Sequence, residues 1–155
     1  MLEKIWRLIA STKIQLFIVG LFHDRFLVAS AGIFFDKDDK VLLFEHKFRN
    51  GSRWGIPSGY INSKEHPKEA LEREVAEESG LIVSVDRRFK IRTDRESARL
   101  EILYVGEFIG GEFKKSNEVT AAKLFKTDQL PKISNDIKHF IYKAYELRSV
   151  SNLSG

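Results

Sequence analysis

Strand-like and helix-like stretches follow one another in the order strands, helix, strands, helix, which predicts an α/β or α+β sandwich with sheet packed between helices. Two further observations support one domain. The chain has 155 residues, 43% hydrophobic and 31% charged, a size at which folding buries roughly 68–70% of the unfolded surface without disulfide or metal staples. No internal repeat, low-complexity tract or Pro/Gly/Ser linker divides it, which excludes a collagenous or wholly disordered chain.

The elements follow in order. Leu27 to Phe35 is mostly β-branched, aromatic or small apolar, Asp36-Lys37-Asp38-Asp39-Lys40 supplies turn chemistry, and Val41 to His46 resumes the apolar run, so this region reads as a hairpin. A helix is expected from near His66, with Pro67 at its first position, to Gly80, a residue type that ends helices in a left-handed conformation. Strands are expected at Arg88 to Arg92, where Phe89 and Ile91 alternate with Lys90, and at Leu100 to Phe108, where Leu100, Ile102 and Tyr104 share a face. Gly110-Gly111 then signals a turn. A last helix follows Ser134, a good N-cap, with Ile137, Phe140, Ile141, Ala144 and Tyr145 on one side.

Before Leu27, an apolar run from Ile14 to Phe22 is separated by Lys13 from Leu8, Ile9 and Ala10, so no uncharged stretch reaches the ~20 residues of a membrane span. No small-residue cleavage site follows, since His23, Asp24 and Arg25 come next. Residues 1–26 therefore read as an N-terminal extension packed on a domain of residues 27–148, with 149–155 as a flexible tail. The sharper alternative is a membrane-surface or dimer contact, because Leu2, Ile5, Trp6, Ile9 and Ala10 fall at helical spacing between Lys4 and Arg7.

The absence of cysteine removes thiol nucleophiles, Cys-ligated zinc and iron–sulfur clusters, and a reducing cytoplasm is the default location. The net charge of +4 favours anionic partners, such as nucleotides, nucleic acid or acidic membranes, without choosing among them.

Chemistry concentrates on the first helix. Glu74, Glu77 and Glu78 stand in the i, i+3, i+4 relation, so three carboxylates share one face opposite the core-facing Ala70, Leu71 and Val75. A solvated acidic face would explain three glutamates alone. Their surroundings decide otherwise: Trp54-Gly55-Ile56-Pro57-Ser58-Gly59 forms a rigid turn whose glycines let backbone approach a ligand, and Glu65 adds another carboxylate. Hard oxygen ligands without histidine or cysteine suit Mg²⁺ or Mn²⁺, which sits between carboxylates and substrate phosphates.

Gly59, five residues, Glu65, seven residues, then Arg73-Glu74-Val75-x-Glu77-Glu78-x-Gly80-Leu81 fills the nine specified positions of the Nudix box, so the chain resembles the Nudix hydrolases. The resemblance implies an α/β/α sandwich with a mixed sheet, and Mg²⁺-dependent hydrolysis of a nucleoside diphosphate linked to another group, or of a (d)NTP, by water attack on phosphorus. It implies metal ligation by Glu74, Glu77, Glu78 and the Ser58 carbonyl, and a supporting ion pair between Arg73 and Glu65. Ser58 stands where the family often has glycine. The base that takes the water's proton is a box glutamate or one on a later loop, here Glu118 in Ser116-Asn117-Glu118-Val119.

Lys47, Arg49, Arg53 and Trp54 are candidates for contact with a small nucleotide substrate, although tryptophan in such a turn more often serves the core. The arginine-rich stretch Arg87 to Arg99 reads as the wet face of a sheet, with an RNA backbone track as the alternative. His23, His46, His66 and His139 show no ligand spacing and read as structural or exposed. Two rival functions stay open beside the hydrolase of small nucleotides: a nucleotide-sensing module without catalysis, and a hydrolase of RNA 5′ ends. A homodimer is also possible.

Overall fold

A computed structural model describes residues 12–22, 26–48, 51–94 and 98–153. The elements are α1 (Thr12–Phe22), β1 (Leu27–Phe35), β2 (Val41–His46), β3 (Trp54–Gly55), β4 (Ser58–Tyr60), α2 (Pro67–Ser79), β5 (Leu81–Asp94), β6 (Arg99–Gly111), β7 (Val119–Phe125) and α3 (Asn135–Leu153). The path β3-β2-β1-β6-β5 forms the sheet, with β4 on β1 and β7 on β2; β1 and β6 run parallel and every other pair is antiparallel.

The sheet is apolar on both faces because helices cover both, which explains the near-continuous hydrophobic runs of β1 and β2. Ile33, Phe35, Val41, Leu43 and Leu103 meet Ile137, Phe140, Ile141 and Ala144 of α3. Alternate residues, Phe34, Leu42, Phe44 and Tyr104, meet Leu71 and Val75 of α2. This α/β/α sandwich with its mixed sheet is the predicted architecture.

The hairpin turn is held by Asp36, whose Oδ1 accepts from the Asp38 and Lys40 N–H groups at 2.9 and 2.8 Å. Away from that turn, β1 and β2 part: they pair at Phe35↔Val41, while Ala29 to Ala31 pair with β4, and β2 pairs with β3 and β7. The sheet thus forks, and the open end of the fork carries the site described below.

Helix α2 has the expected bounds. His66 Nδ1 accepts from the Lys68 N–H and Glu69 Oε2 accepts from the His66 N–H, both at 3.3 Å, a capping box with Pro67 at the first position. Gly80 closes the helix at φ 71°, its N–H donating to Ala76 O. For α3, the Ile137 N–H donates to Ser134 Oγ, as the predicted cap requires.

Four readings change. Strand β5 begins at Leu81, directly after Gly80, and not near Arg88; three register shifts against β6 let it curve, so the simple alternation of Phe89 and Ile91 fails and Ile91 is exposed. Gly110-Gly111 closes β6 opposite Ile82 and Leu81 and is not itself the turn. Helix α3 runs past 148 to Leu153, with Arg148 Nε donating to Asp39 Oδ1 at 3.0 Å. In α1, Ile14, Leu16, Phe17, Val19, Leu21 and Phe22 are exposed and only Gln15, Ile18 and Gly20 are half-buried, where packing on the domain was expected. Leu2, Ile5, Trp6, Ile9 and Ala10 lie outside the described residues.

Candidate active site

Arg73 organises the acidic face of α2. Its Nε and Nη2 grip both oxygens of Glu65 at 2.6 and 3.0 Å, and Nη1 reaches Glu74 Oε1 at 2.9 Å and Glu77 Oε2 at 3.0 Å. Nη2 also donates to Tyr60 O at 3.4 Å, tying the helix to β4. The bidentate hydrogen bond holds the Glu65 carboxyl below the usual carboxylate range and raises the Arg73 pKa in turn. The predicted Arg73–Glu65 ion pair is therefore present, and it extends to two of the box carboxylates.

Glu78 stands apart from that guanidinium. Burial, and then the charges of Glu118, Glu74 and Glu77, push its carboxyl up to about 7. Glu118 reaches this position on a built turn: Ser116 Oγ accepts from the Glu118 and Val119 N–H groups at 3.3 and 3.0 Å, and the Lys47 N–H donates to Glu118 O at 2.9 Å. Sequence distance hides the meeting of Glu78 and Glu118; the fold brings the loop before β7 over the end of α2.

Gly59 sets how close β4 lies to α2. A Cβ there would stand 2.2 Å from Glu74 Cγ, so only glycine lets the strand pass against the Glu74 side chain. Ser58, one residue earlier, lines the cleft.

Two adjoining cavities open beside these groups. One, of about 420 Å³, is lined by Ala29, Tyr60, Glu74 and Glu78 among others; its neighbour, of about 300 Å³, is lined by Phe48, Arg92 and Glu101. His46, Ser58, Arg99 and Glu118 line both, so they form one cleft with a carboxylate end and an aromatic and cationic end. That size suits a small-molecule ligand, and the charged lining suits a polar one.

The cleft corrects several assignments. Arg92 and Arg99 do not belong to a wet sheet face: Arg92 Nε donates at 2.5 Å to Glu101, itself 6% exposed, and both arginines line the cleft. The signal was in the register. Counting outward from the 95–98 connection pairs Asp94 with Arg99 and Arg92 with Glu101. His46 is half-buried and faces the cleft from β2. Trp54 packs edge-on against Phe125 with centroids 5.1 Å apart and serves the core, while Arg53 lies 3.5 Å from Glu45; neither lines the cleft, nor does Lys47, whose Nζ lies over the Phe48 ring. Phe48, which no motif singled out in the sequence, is exposed and lines the cleft. Arg49 lies outside the described residues.

The donor set suits a hard divalent cation, being carboxylate and carbonyl oxygen, and a cation would favour the ionised form of Glu78 against the burial and the neighbouring carboxylates that disfavour it. Among the described residues no three His, Asp or Glu side chains converge on one point as positioned, because Glu74 and Glu77 turn toward Arg73.

A three-layer sandwich in which a helix on one side of the sheet presents such a carboxylate face beside a charged cleft has the form of a phosphoanhydride hydrolase. The sequence profile of the NUDIX domain matches residues 25–144, and the chain belongs to that family, whose members are enzymes acting on nucleoside diphosphate derivatives. It is 32% identical over 120 residues to an ADP-ribose pyrophosphatase of Methanocaldococcus jannaschii, covering 74% of this chain and 70% of that protein. It is 30% identical over 124 residues to the human 8-oxo-dGDP phosphatase NUDT18, covering 75% of this chain but 38% of the relative. Among solved structures, a NUDIX hydrolase from Nitrosomonas europaea superposes with a TM-score of 0.71 at 19% identity, over 82% of this chain and 74% of that one.

Proposed function

We propose that this protein hydrolyses the phosphoanhydride bond of a nucleoside diphosphate linked to a second group, by attack of water on phosphorus, with Mg²⁺ or Mn²⁺ as cofactor. One observation carries the reading: a single cleft joins the carboxylates Glu74, Glu78 and Glu118 to the guanidinium-bearing Arg99 and the exposed ring of Phe48. Glu74, Glu77, Glu78 and the Ser58 carbonyl would hold the cation. When bound, the cation neutralises phosphate oxygens and lowers the pKa of the attacking water.

The chain's own residues supply the rest. Arg73 keeps Glu65, Glu74 and Glu77 in one array on α2 and thereby positions the carboxylates. Glu118 and Glu78 are the candidates to take the water's proton, because both line the cleft and the charge of Glu118 helps to raise the Glu78 pKa. Arg99 holds a phosphate between the two cavities, and the substrate's base lies on Phe48. The name of the 32%-identical archaeal relative supports an NDP-linked substrate over a triphosphate. The complete box argues against a binding-only module, since a sensor has no need of Glu77 and Glu78. Relatives that act on capped RNA keep an RNA 5′ end among the substrates to test.

The test is chromatography of products from NDP-sugars, ADP-ribose, CDP-alcohols, dinucleoside polyphosphates, (d)NTPs and a capped RNA, with Mg²⁺ or Mn²⁺. Glu78→Gln should lower turnover by about 10²–10⁴-fold, the range for loss of a general base or its equivalent. Equal turnover by the variant would refute the assignment of this cleft.

A further inference from the structure

Helix α1 presents a surface that nothing in the catalytic reading uses. Leu16, Phe17, Leu21 and Phe22 are 66%, 63%, 64% and 80% exposed, Ile14 and Val19 are exposed beside them, and Phe26 and Leu27 continue the apolar surface at the start of β1. No charged residue occurs from Ile14 to Phe22. At 100° per residue, the six exposed side chains spread around most of the helix and do not form one stripe. A helix that is apolar nearly all round is stable only in an apolar medium or a core.

Charge selects the medium. The first 26 residues hold the basic Lys4, Arg7, Lys13 and Arg25 against the acidic Glu3 and Asp24, so this short segment carries half of the chain's net charge of +4. Basic residues flanking an uncharged apolar segment match an anionic lipid surface, where acyl chains take the apolar side chains and headgroups meet the cations. Length sets the depth. Eleven residues at 1.5 Å span about 16 Å, roughly half the ~30 Å hydrocarbon core, and no described helix is long and apolar enough to cross a membrane. A second copy of the chain fits less well, because a two-fold helix contact covers one stripe and would leave the opposite side chains in water.

We infer that α1 enters one leaflet of anionic bilayers, its side chains among the acyl chains all round, and so seats the protein reversibly on the membrane. The inference is independent of the proposed reaction, since α1 contributes no residue to the cleft.

The test is co-sedimentation of the full chain with vesicles of phosphatidylglycerol and phosphatidylcholine in equal parts, and with phosphatidylcholine alone. Wild type should partition to the anionic vesicles and less to the neutral ones. The double variant Leu16→Glu/Phe17→Glu should bind at least about tenfold more weakly. An unchanged circular dichroism spectrum and thermal unfolding midpoint of the variant show that its domain is folded. Equal sedimentation of variant and wild type, or no wild-type binding, would overturn the inference. So would light scattering that shows a wild-type dimer, made monomeric by the same substitutions, with no vesicle binding: a second copy would then cover α1.

Discussion

At the scale of single residues, Glu78 has a pH signature of its own. Its carboxyl is pushed up to about 7 in the folded protein, against an unfolded value near 4.5. Between those values the folded chain binds more protons than the unfolded one, so without divalent cation the protein should lose stability as pH rises through that window. Thermal unfolding in EDTA from about pH 5 to about pH 8 should show the slope in wild type and a flatter profile in Glu78→Gln. Cation binding has the opposite sense: it requires the ionised carboxylate, and Mg²⁺ affinity should rise through pH 7. A wild-type melting temperature that climbs steadily over that range in EDTA would contradict the description of Glu78. The carboxylates of one helix face were legible because a helix fixes its own geometry over one or two turns, whereas the pairing of Arg73 with Glu65, which precedes the helix, came only from the resemblance to the family. Arg92, Arg99, Phe48 and His46 were not, since none sits at a motif spacing; they meet only when strands pair.

At the scale of elements, two small features hold the catalytic pieces in place. Gly59 permits β4 to touch the Glu74 side chain, so Gly59→Ala forces an overlap that Glu74 must relieve by moving. Overpacking of that kind costs about 1–3 kcal/mol, and kcat should fall more than thermal stability suggests because the displaced group is a proposed ligand. Chemical denaturation beside steady-state kinetics checks both effects. Ser116 caps the turn that presents Glu118. Ser116→Ala should remove about 1 kcal/mol of local stability and lower kcat about tenfold with little change in KM, while Ser116→Asn, which offers another acceptor, should restore most of it. A variant with wild-type kcat would mean that the turn holds Glu118 without this cap. The helix start at Pro67 and the caps at Gly80 and Ser134 were legible in the sequence, as local chemistry specifies them, while the His66 cap was not, since histidine is not among the usual N-cap residues. The early start of β5 was obscured by its irregular register, which breaks the two-residue period that marks a strand.

For the whole molecule, the fold class followed from element order, and the helices that cover both faces of the sheet account for the apolar runs of its central strands. The cleft did not, because it arises where the sheet forks, and neither β1 nor β2 carries a local sign that they separate beyond Phe35↔Val41. Its two ends also draw on distant stretches of chain: β1, β2 and β4 before α2, and β6 and the Glu118 loop after it. The parallel alignment of β1 with β6 has a kinetic side. Leu27 lies opposite Arg99, so this ladder closes a chain segment that contains β2, β3, β4, α2 and β5. Contacts of such long sequence separation form late in folding, after hairpins and helices. A nascent chain released before Gly111 can thus build the carboxylate helix but lacks the complete strand that brings Arg99 to it. Competence of this cleft is in that sense an outcome of folding as a whole, reached only when β1 has met β6 and β2 has met β7, the strand that follows the Glu118 loop.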